Sequence, residues 1–330
     1  MNLKYNVFGI GNAVVDYEIE ITDEFLKQNA VEKGMMTLVE EQRQKELITA
    51  VSGKIKKKQS GGSVSNSMIA ISQFGGKGFL TCKVANDEDG NLFKQEMNEL
   101  GLETNLSELP EGITGKCLVM VTPDANRSMN TFLGIGASMT KDDVIEEAIA
   151  ASEYVFLEGY QVPSENGLNA ALRIQSLAKK HGVKVAYTFS DPAMVKFFGE
   201  QTKSIVSGGV DLLFANEEEA RIFTNAESEE EAFERLKNFA SEFVMTRSNK
   251  GSWIWTGSEK IVIKGVVVEA VDTTGAGDLF AGAYLYGITN GLTRKESGEL
   301  ANQASAKVVA QFGPRLANDS ARALVEQVVK

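Results

Sequence analysis

A carboxylate directly after Gly-x-Gly at the head of an apolar helix can take a proton from an alcohol, and Gly275-Ala276-Gly277-Asp278 provides that arrangement. Gly275 and Gly277 carry no Cβ, so the backbone N–H groups of Gly275, Ala276 and Gly277 can converge on one small volume. The apolar run from Asp278 to Gly287 reads as a helix. That places those amides at its positive end, a site for an anion such as a phosphoryl group. Asp278 would repel a phosphate held there permanently, so its presence makes sense if it deprotonates an incoming hydroxyl. The helix terminus should depress its pKa and weaken it as a base. Phosphoryl transfer tolerates a weak base, because its loose transition state asks mainly for positioning and charge stabilisation.

A second constellation lies early in the chain. Gly61-Gly62 precedes a helix whose first turn carries Ser63, Asn66 and Ser67, a pattern suited to hydroxyl recognition. A carboxamide can both donate to and accept from vicinal hydroxyls, and a glycine N–H approaches without steric cost. The stretch GIGNAVVD, from Gly9 to Asp16, imitates a dinucleotide fingerprint but has Val14 where the third glycine belongs. It is followed by VVDYEIEI, which alternates like a half-buried strand rather than opening a helix.

The elements that must hold these groups follow from periodicity. Asn6 to Gly11 reads as the first core strand, and Lys260 to Val268 as the strand feeding the Gly-Ala-Gly turn. Asp23 to Gln28 is a short helix, GMMTLV a returning strand, and Glu40 to Lys58 a helix whose basic end KIKKK forms a solvated face. GKCLVMVTPDANRSMNTFLGIGA gives two strands around the turn Pro123 to Asn126, followed by Arg127. From Tyr154 onward strands and helices alternate regularly, which argues for a parallel sheet covered by helices. Ligands gather at the carboxyl ends of such strands, where Tyr160, Asp191, Asn216 and Arg247 fall. Asn216 and Glu219 can share one face of a helix start. His181 and Gly182 read as a helix end and its cap.

The string D-T-T-G-A-G-D-x-F-x-G, from Asp272 to Gly282, resembles the signature of the ribokinase-like (PfkB) carbohydrate and nucleoside kinases. The resemblance extends from Gly9 to about Gly313. It implies an α/β fold, a doubly wound and mostly parallel sheet flanked by helices, with a small β-strand lid drawn from about residues 13–39 and 113–134 of a single domain, 1–330. It also implies that Asp278 is the catalytic base and that Gly275, Ala276 and Gly277 form the anion hole. The G-N-x-x-x-D and G-G-S-x-x-N-S segments look most like the adenosine kinase branch, so that Asp16, Gly62 and Asn66 would hold a ribose, with Asn12 and Ser63 beside them. Adenosine kinases carry D-N-R-S in this region with the arginine directed at the phosphate path, a segment that Asp124 to Ser128 resembles through Arg127, and Tyr160 could stack on a base or pad the lid.

The donor side is implied in the same way. Asn216 and Glu219 match the family's N-x-x-E motif, linked to Mg²⁺ and phosphate through water, with no direct protein ligand to the metal. Thr246, Arg247 and Gly251 lie in the segment matching one beside the ATP phosphates, although Ser248 replaces its first glycine, and Asn302 would neighbour the adenine ring. The expected reaction is transfer of the γ-phosphoryl group of ATP to the 5′-hydroxyl of a ribonucleoside, adenosine foremost. A sugar kinase acting on ribose, fructose or a related acid stays open, because Thr274 stands where animal adenosine kinases usually have Asn. A nucleotide-binding protein without transferase activity is a further alternative.

Composition narrows the field. The chain has 330 residues, 43% of them hydrophobic, enough for one large α/β domain or two ordinary ones. A net charge of -11 argues against nucleic acid or an anionic membrane as partner. The single His181 excludes a Ser-His-Asp triad and multi-histidine metal sites. Cys82 and Cys117 have no CxxC or zinc spacing and read as buried thiols. With no secretion signal at the start and no apolar run of spanning length, the expectation is a cytoplasmic protein, monomer or homodimer.

Overall fold

The computed structural model describes residues 3–124 and 126–328; Ala125, in the turn expected at Pro123 to Asn126, lies outside the described residues. Fourteen strands form two sheets among those residues. In chain order they are β1 (Tyr5–Ile10), β2 (Val14–Glu20), β3 (Met36–Leu38), β4 (Ile55–Gly61), β5 (Gly78–Thr81), β6 (Glu103–Thr104) and β7 (Thr114–Val121). Then come β8 (Arg127–Gly134), β9 (Ser152–Glu158), β10 (Lys184–Thr188), β11 (Leu212–Asn216), β12 (Glu242–Thr246), β13 (Gly251–Trp255) and β14 (Lys260–Lys264). The main sheet runs β14-β13-β12-β11-β10-β9-β1-β5-β6. It is parallel from β12 to β6, and only β13 and β14 are antiparallel additions.

The strand order reverses between β1 and β9, since the chain moves outward from β1 to β5 on one side and from β9 to β10 on the other. A crevice opens at such a switch point beyond the carboxyl ends of the strands, because the connections leave in opposite directions. Buried Phe8, Ile10, Val155, Phe156, Tyr187 and Phe243 fill the sheet's core. The helix Glu165–His181 ends at Gly182 in the left-handed region, as its sequence implied.

The second sheet has the order β3-β8-β7-β2-β4. One face, with Val15, Tyr17, Ile19, Leu118 and Met120, joins the main core. The other, with Val14, Cys117, Val119 and Val121 against Met129, forms a separate apolar cluster. Alternation along β2 therefore does not leave half of it in water, as VVDYEIEI suggested. Asp16 and Glu18 are buried with their apolar neighbours, so both faces are covered.

Two element boundaries differ from the sequence reading. The helix expected over Glu40 to Lys58 stops at Ala50, and Ile55–Gly61 forms β4, antiparallel to β2. Gly53, at φ +77°, turns the chain out of the helix. The basic run is recruited by cross-strand partners: Lys57 lies opposite Glu18, Lys58 sits 4.5 Å from the Tyr17 ring, and Gln59 donates to Glu18 at 2.7 Å. The strand expected from Lys260 to Val268 ends at Lys264. An irregular segment then leads to Gly275, and Gly265 packs so closely on the Asn249 carbonyl that no Cβ would fit.

Candidate active site

A single cleft of about 1080 Å³ runs between the two sheets. Its lining brings together Asn12, Asp16, Gly62 and Asn66 with Asn216, Glu219, Thr246, Gly251 and Asn302, and with Ser63, Arg127, Tyr160, Gly275, Ala276, Gly277 and Asp278. Of the candidate site residues singled out in the sequence, Ser67 and Arg247 are missing from this lining; Ser67 instead donates to the Asp278 carbonyl. The Arg247 guanidinium turns away, pairs with Glu229 at 2.6 Å and lies 3.7 Å from the Trp253 ring centre. An acidic helix and an aromatic face close by outcompete the cleft for this cation.

Asp278 stands in the first turn of the helix Ala276–Thr289. Ser63 Oγ donates to its Oδ1 at 2.6 Å and Asn66 Nδ2 to its Oδ2 at 3.1 Å. Ser67 Oγ donates to its carbonyl at 2.9 Å. The two sequence constellations, some two hundred residues apart, thus form one cluster. Burial pushes the Asp278 carboxyl up to about 6, against the opposing hydrogen bonds of Ser63 and Asn66. The depression expected from the helix terminus is not what the site displays, because removal from water outweighs it. A carboxylate of that basicity is a better proton acceptor near neutrality.

Gly275 caps this helix at φ +69°, and a Cβ there would meet Pro314 at 2.4 Å. Leu279 N–H makes the bond to Gly275 O at 2.8 Å, and Ala276 N–H reaches Thr273 O at 3.3 Å. The amides of Gly277 and Asp278 belong to the first turn, which has no preceding helical carbonyls to bind. Asp272, 1% exposed, organises the turn: its carboxylate accepts from Thr274 N–H and Gly313 N–H, both at 2.7 Å. Arg127 reaches across from β8 to pair with Asp272 and donate to Thr274 Oγ1. Its cation bears on the turn before Gly275 through these partners.

At the other constellation, Gly62 has φ +101°, and a Cβ would lie 2.0 Å from the Asn12 carbonyl. The two early segments touch there, and only glycine permits it. Asp16, 6% exposed, sits against Gly61, and burial pushes its carboxyl up to about 7. Glu158, at the end of β9, fastens both segments: it accepts from Asn12 N–H and Val64 N–H, each at 2.9 Å. Asn12 Nδ2 donates to the Tyr160 carbonyl at 3.3 Å, so this side chain also braces the wall. Tyr160 is half-buried at the cleft.

At the start of the helix Glu217–Thr224, Asn216 and Glu219 hold each other in a capping box. Asn216 Oδ1 accepts from Glu219 N–H at 2.8 Å, and Glu219 accepts from Asn216 N–H at 2.8 Å. Burial pushes the Glu219 carboxyl up to about 8. Asn302 donates to Lys264 O at 3.1 Å, and Thr246 closes β12. Among the described residues no group of three or more His, Cys, Asp or Glu side chains could hold a metal ion. That donor set fits a divalent ion held mainly by phosphate oxygens and water, not a protein cage.

Glu158, Asp272 and Arg315, the last donating to the Ser60 carbonyl and to Asn66 Oδ1, hold segments around the cleft and were passed over by sequence reasoning. Asp272 lay inside the quoted motif, and Glu158 is a lone acid ending the apolar run YVFLE, which was a usable signal. Arg315, after Gly313-Pro314, carried none. Cys82 and Cys117 are buried and unbridged, and among the described residues no helix is long and apolar enough to cross a membrane.

A family model described as pfkB family carbohydrate kinase matches residues 34–321. Among solved structures, the adenosine kinase from Sinorhizobium meliloti is similar at TM-score 0.91 and 34% identity, over 98% of this chain and 99% of that one. A probable sugar kinase protein from Rhizobium etli CFN 42 is similar at TM-score 0.92 and 31% identity, over 99% of both chains. The ribokinase of Haemophilus influenzae is 26% identical over 265 residues, 77% of this chain and 82% of that protein.

Proposed function

This chain belongs to the pfkB family of carbohydrate kinases, and from that membership we propose that it moves the γ-phosphoryl group of ATP to the 5′-hydroxyl of a ribonucleoside, adenosine foremost. It is a phosphotransferase with an alcohol group as acceptor. The observation that carries the finer reading is the place of Asp278, in the lining of the cleft and hydrogen-bonded to Ser63 and Asn66 of the early constellation.

The reaction follows from that arrangement. Asp16 and Asn66 bind the vicinal hydroxyls of the sugar, while Gly62, Asn12 and Glu158 fix the walls around it. Asp278 takes the hydroxyl proton as that oxygen forms its bond to the γ-phosphorus and the bond to the bridging oxygen of ADP breaks. The first-turn amides of Gly277 and Asp278 meet the charge on the transferring group, in a turn held by Asp272 and Arg127. Asn216 and Glu219 would hold a Mg²⁺ ion through water, and its charge would offset that of the phosphates. Thr246, Gly251 and Asn302 shape the nucleotide end; Arg247 contributes only through Glu229. We read residues 1–330 as one unit, with the second sheet as its lid.

Two features support a nucleoside. The adenosine kinase of Sinorhizobium meliloti aligns over nearly all of the chain. Beside Asp16 and Asn66 the lid contributes an apolar wall of Val14, Val119, Met129 and Leu133, suited to a planar base and wasteful for a free pentose. Thr274 and the similarity to the Rhizobium etli protein support a sugar acceptor as the second reading. An assay of ADP release over a panel of nucleosides and free sugars decides: adenosine should give the highest kcat/KM, and a ribose or fructose value above every nucleoside would overturn the nucleoside reading.

A further inference from the structure

Arg315 lies outside the cleft lining, behind its acceptor end, with its side chain 14% exposed. Its Nη2 donates to the Ser60 carbonyl, to Ser60 Oγ at 2.9 Å and to Asn66 Oδ1 at 3.4 Å, and its Nη1 donates to Glu96 Oε2 at 3.0 Å. Glu96 in turn accepts from Ser60 N–H at 2.9 Å and Ser60 Oγ at 2.6 Å. Four backbone and side-chain groups thus tie one guanidinium to the junction of β4 with the helix Ser63–Phe74, the point where the second sheet meets the main body.

A carboxamide has one accepting and one donating end. With Asn66 Oδ1 turned to Arg315, its Nδ2 is the end presented to Asp278 Oδ2. Arg315 also follows Gly313, which binds Asp272, and Pro314, which packs on Gly275. Three consecutive residues therefore join the anion-binding turn to the acceptor-binding helix.

We infer that Arg315 is a positioning residue for phosphoryl transfer, which orients the Asn66 carboxamide toward the catalytic base and sets a positive charge behind Asp16. This rests on the reading of Asp278 as base and of Asp16 and Asn66 as acceptor ligands. The charged groups that act on Asp16 are Arg315, Glu18, Asp278 and Arg127, with the Cys117 thiol on the neighbouring strand. Burial raises the Asp16 carboxyl, and Arg315 is the strongest influence opposing it. Without that cation the carboxyl rises further and is protonated over more of the neutral range.

The test uses the full chain with Arg315→Ala and Arg315→Lys, assayed with ATP and the best acceptor. Both should raise the acceptor KM on the order of tenfold or more and lower kcat, with the ATP KM unchanged. The acidic limb of kcat/KM should move to higher pH in Arg315→Ala, and less in Arg315→Lys, which keeps a charge but cannot span Ser60 and Asn66 together. Added guanidinium ion, well below denaturing concentrations, should restore part of the Arg315→Ala activity. If Arg315→Ala does not fold, the KM and pH limb of Arg315→Lys decide alone. Variants that melt lower yet keep the wild-type acceptor KM and pH limb, with no guanidinium rescue, would show a merely structural arginine and overturn the inference. That outcome is distinct from failure of the underlying reading, which would appear as an Asp278→Asn enzyme turning over at the wild-type rate.

Discussion

Burial raises the Asp278 carboxyl to about 6 and hydrogen bonds from Ser63 and Asn66 oppose that rise, so on its proposed role as base these two side chains trim the pH at which it acts. A base must be ionised to act. With Asp278 raised to about 6 and Asp16 to about 7, kcat/KM should fall as pH falls through that interval. Ser63→Ala removes a bond that favours the carboxylate, so its acidic limb should shift upward; a profile identical to wild type would separate Ser63 from the base. Gly275, Gly62, Asn66 and Asp278 were legible in the sequence because each sits in a short local pattern whose chemistry is self-contained. Glu158 and Arg315 were not, since their partners at Asn12, Val64, Ser60 and Asn66 come from remote segments, and nothing beside Arg315 in the chain announces them.

Elements hold the site through a few contacts that tolerate no added atom. Gly62 combines a left-handed φ with a Cβ position 2.0 Å from the Asn12 carbonyl. Gly62→Ala should therefore cost roughly 1–3 kcal/mol of stability and weaken acceptor binding, measured by denaturant unfolding and acceptor KM. The helix Glu217–Thr224 carries the opposite kind of device, a capping box whose Glu219 is buried and raised to about 8. A carboxyl whose folded pKa lies above its unfolded value binds more protons when folded, so its contribution to stability is lost as pH rises from about 4 toward 8. Glu219→Gln, which can still accept from Asn216 N–H, should flatten the decline in Tm over that range; an unaltered decline would contradict the assignment. Regular βα alternation and cap residues made these elements readable. The β4 strand was missed because KIKKK reads as a helix end until Glu18 and Tyr17 lie opposite it.

Across the whole molecule, function depends on two sheets closing one cleft, with a few residues crossing between them. Arg127 of the second sheet pairs with Asp272 and Thr274 in the turn before Gly275, so that sheet and turn are held together. Arg127→Met should lower kcat by roughly 10²-fold or more while hydrogen exchange in β7 and β8 speeds up; turnover within a fewfold of wild type would contradict that coupling. Strand alternation pointed to the carboxyl ends of the parallel strands, where Tyr160, Asp191 and Asn216 line the cleft, whereas the apolar inner face of the second sheet could not be anticipated, because VVDYEIEI looks half-solvated until both of its faces are covered. The most direct measurement is turnover of Asp278→Asn with ATP and the best acceptor, alongside its affinity for ATP. A loss of roughly 10²- to 10⁴-fold in kcat with ATP binding intact is predicted; turnover close to wild type would contradict the account at its centre.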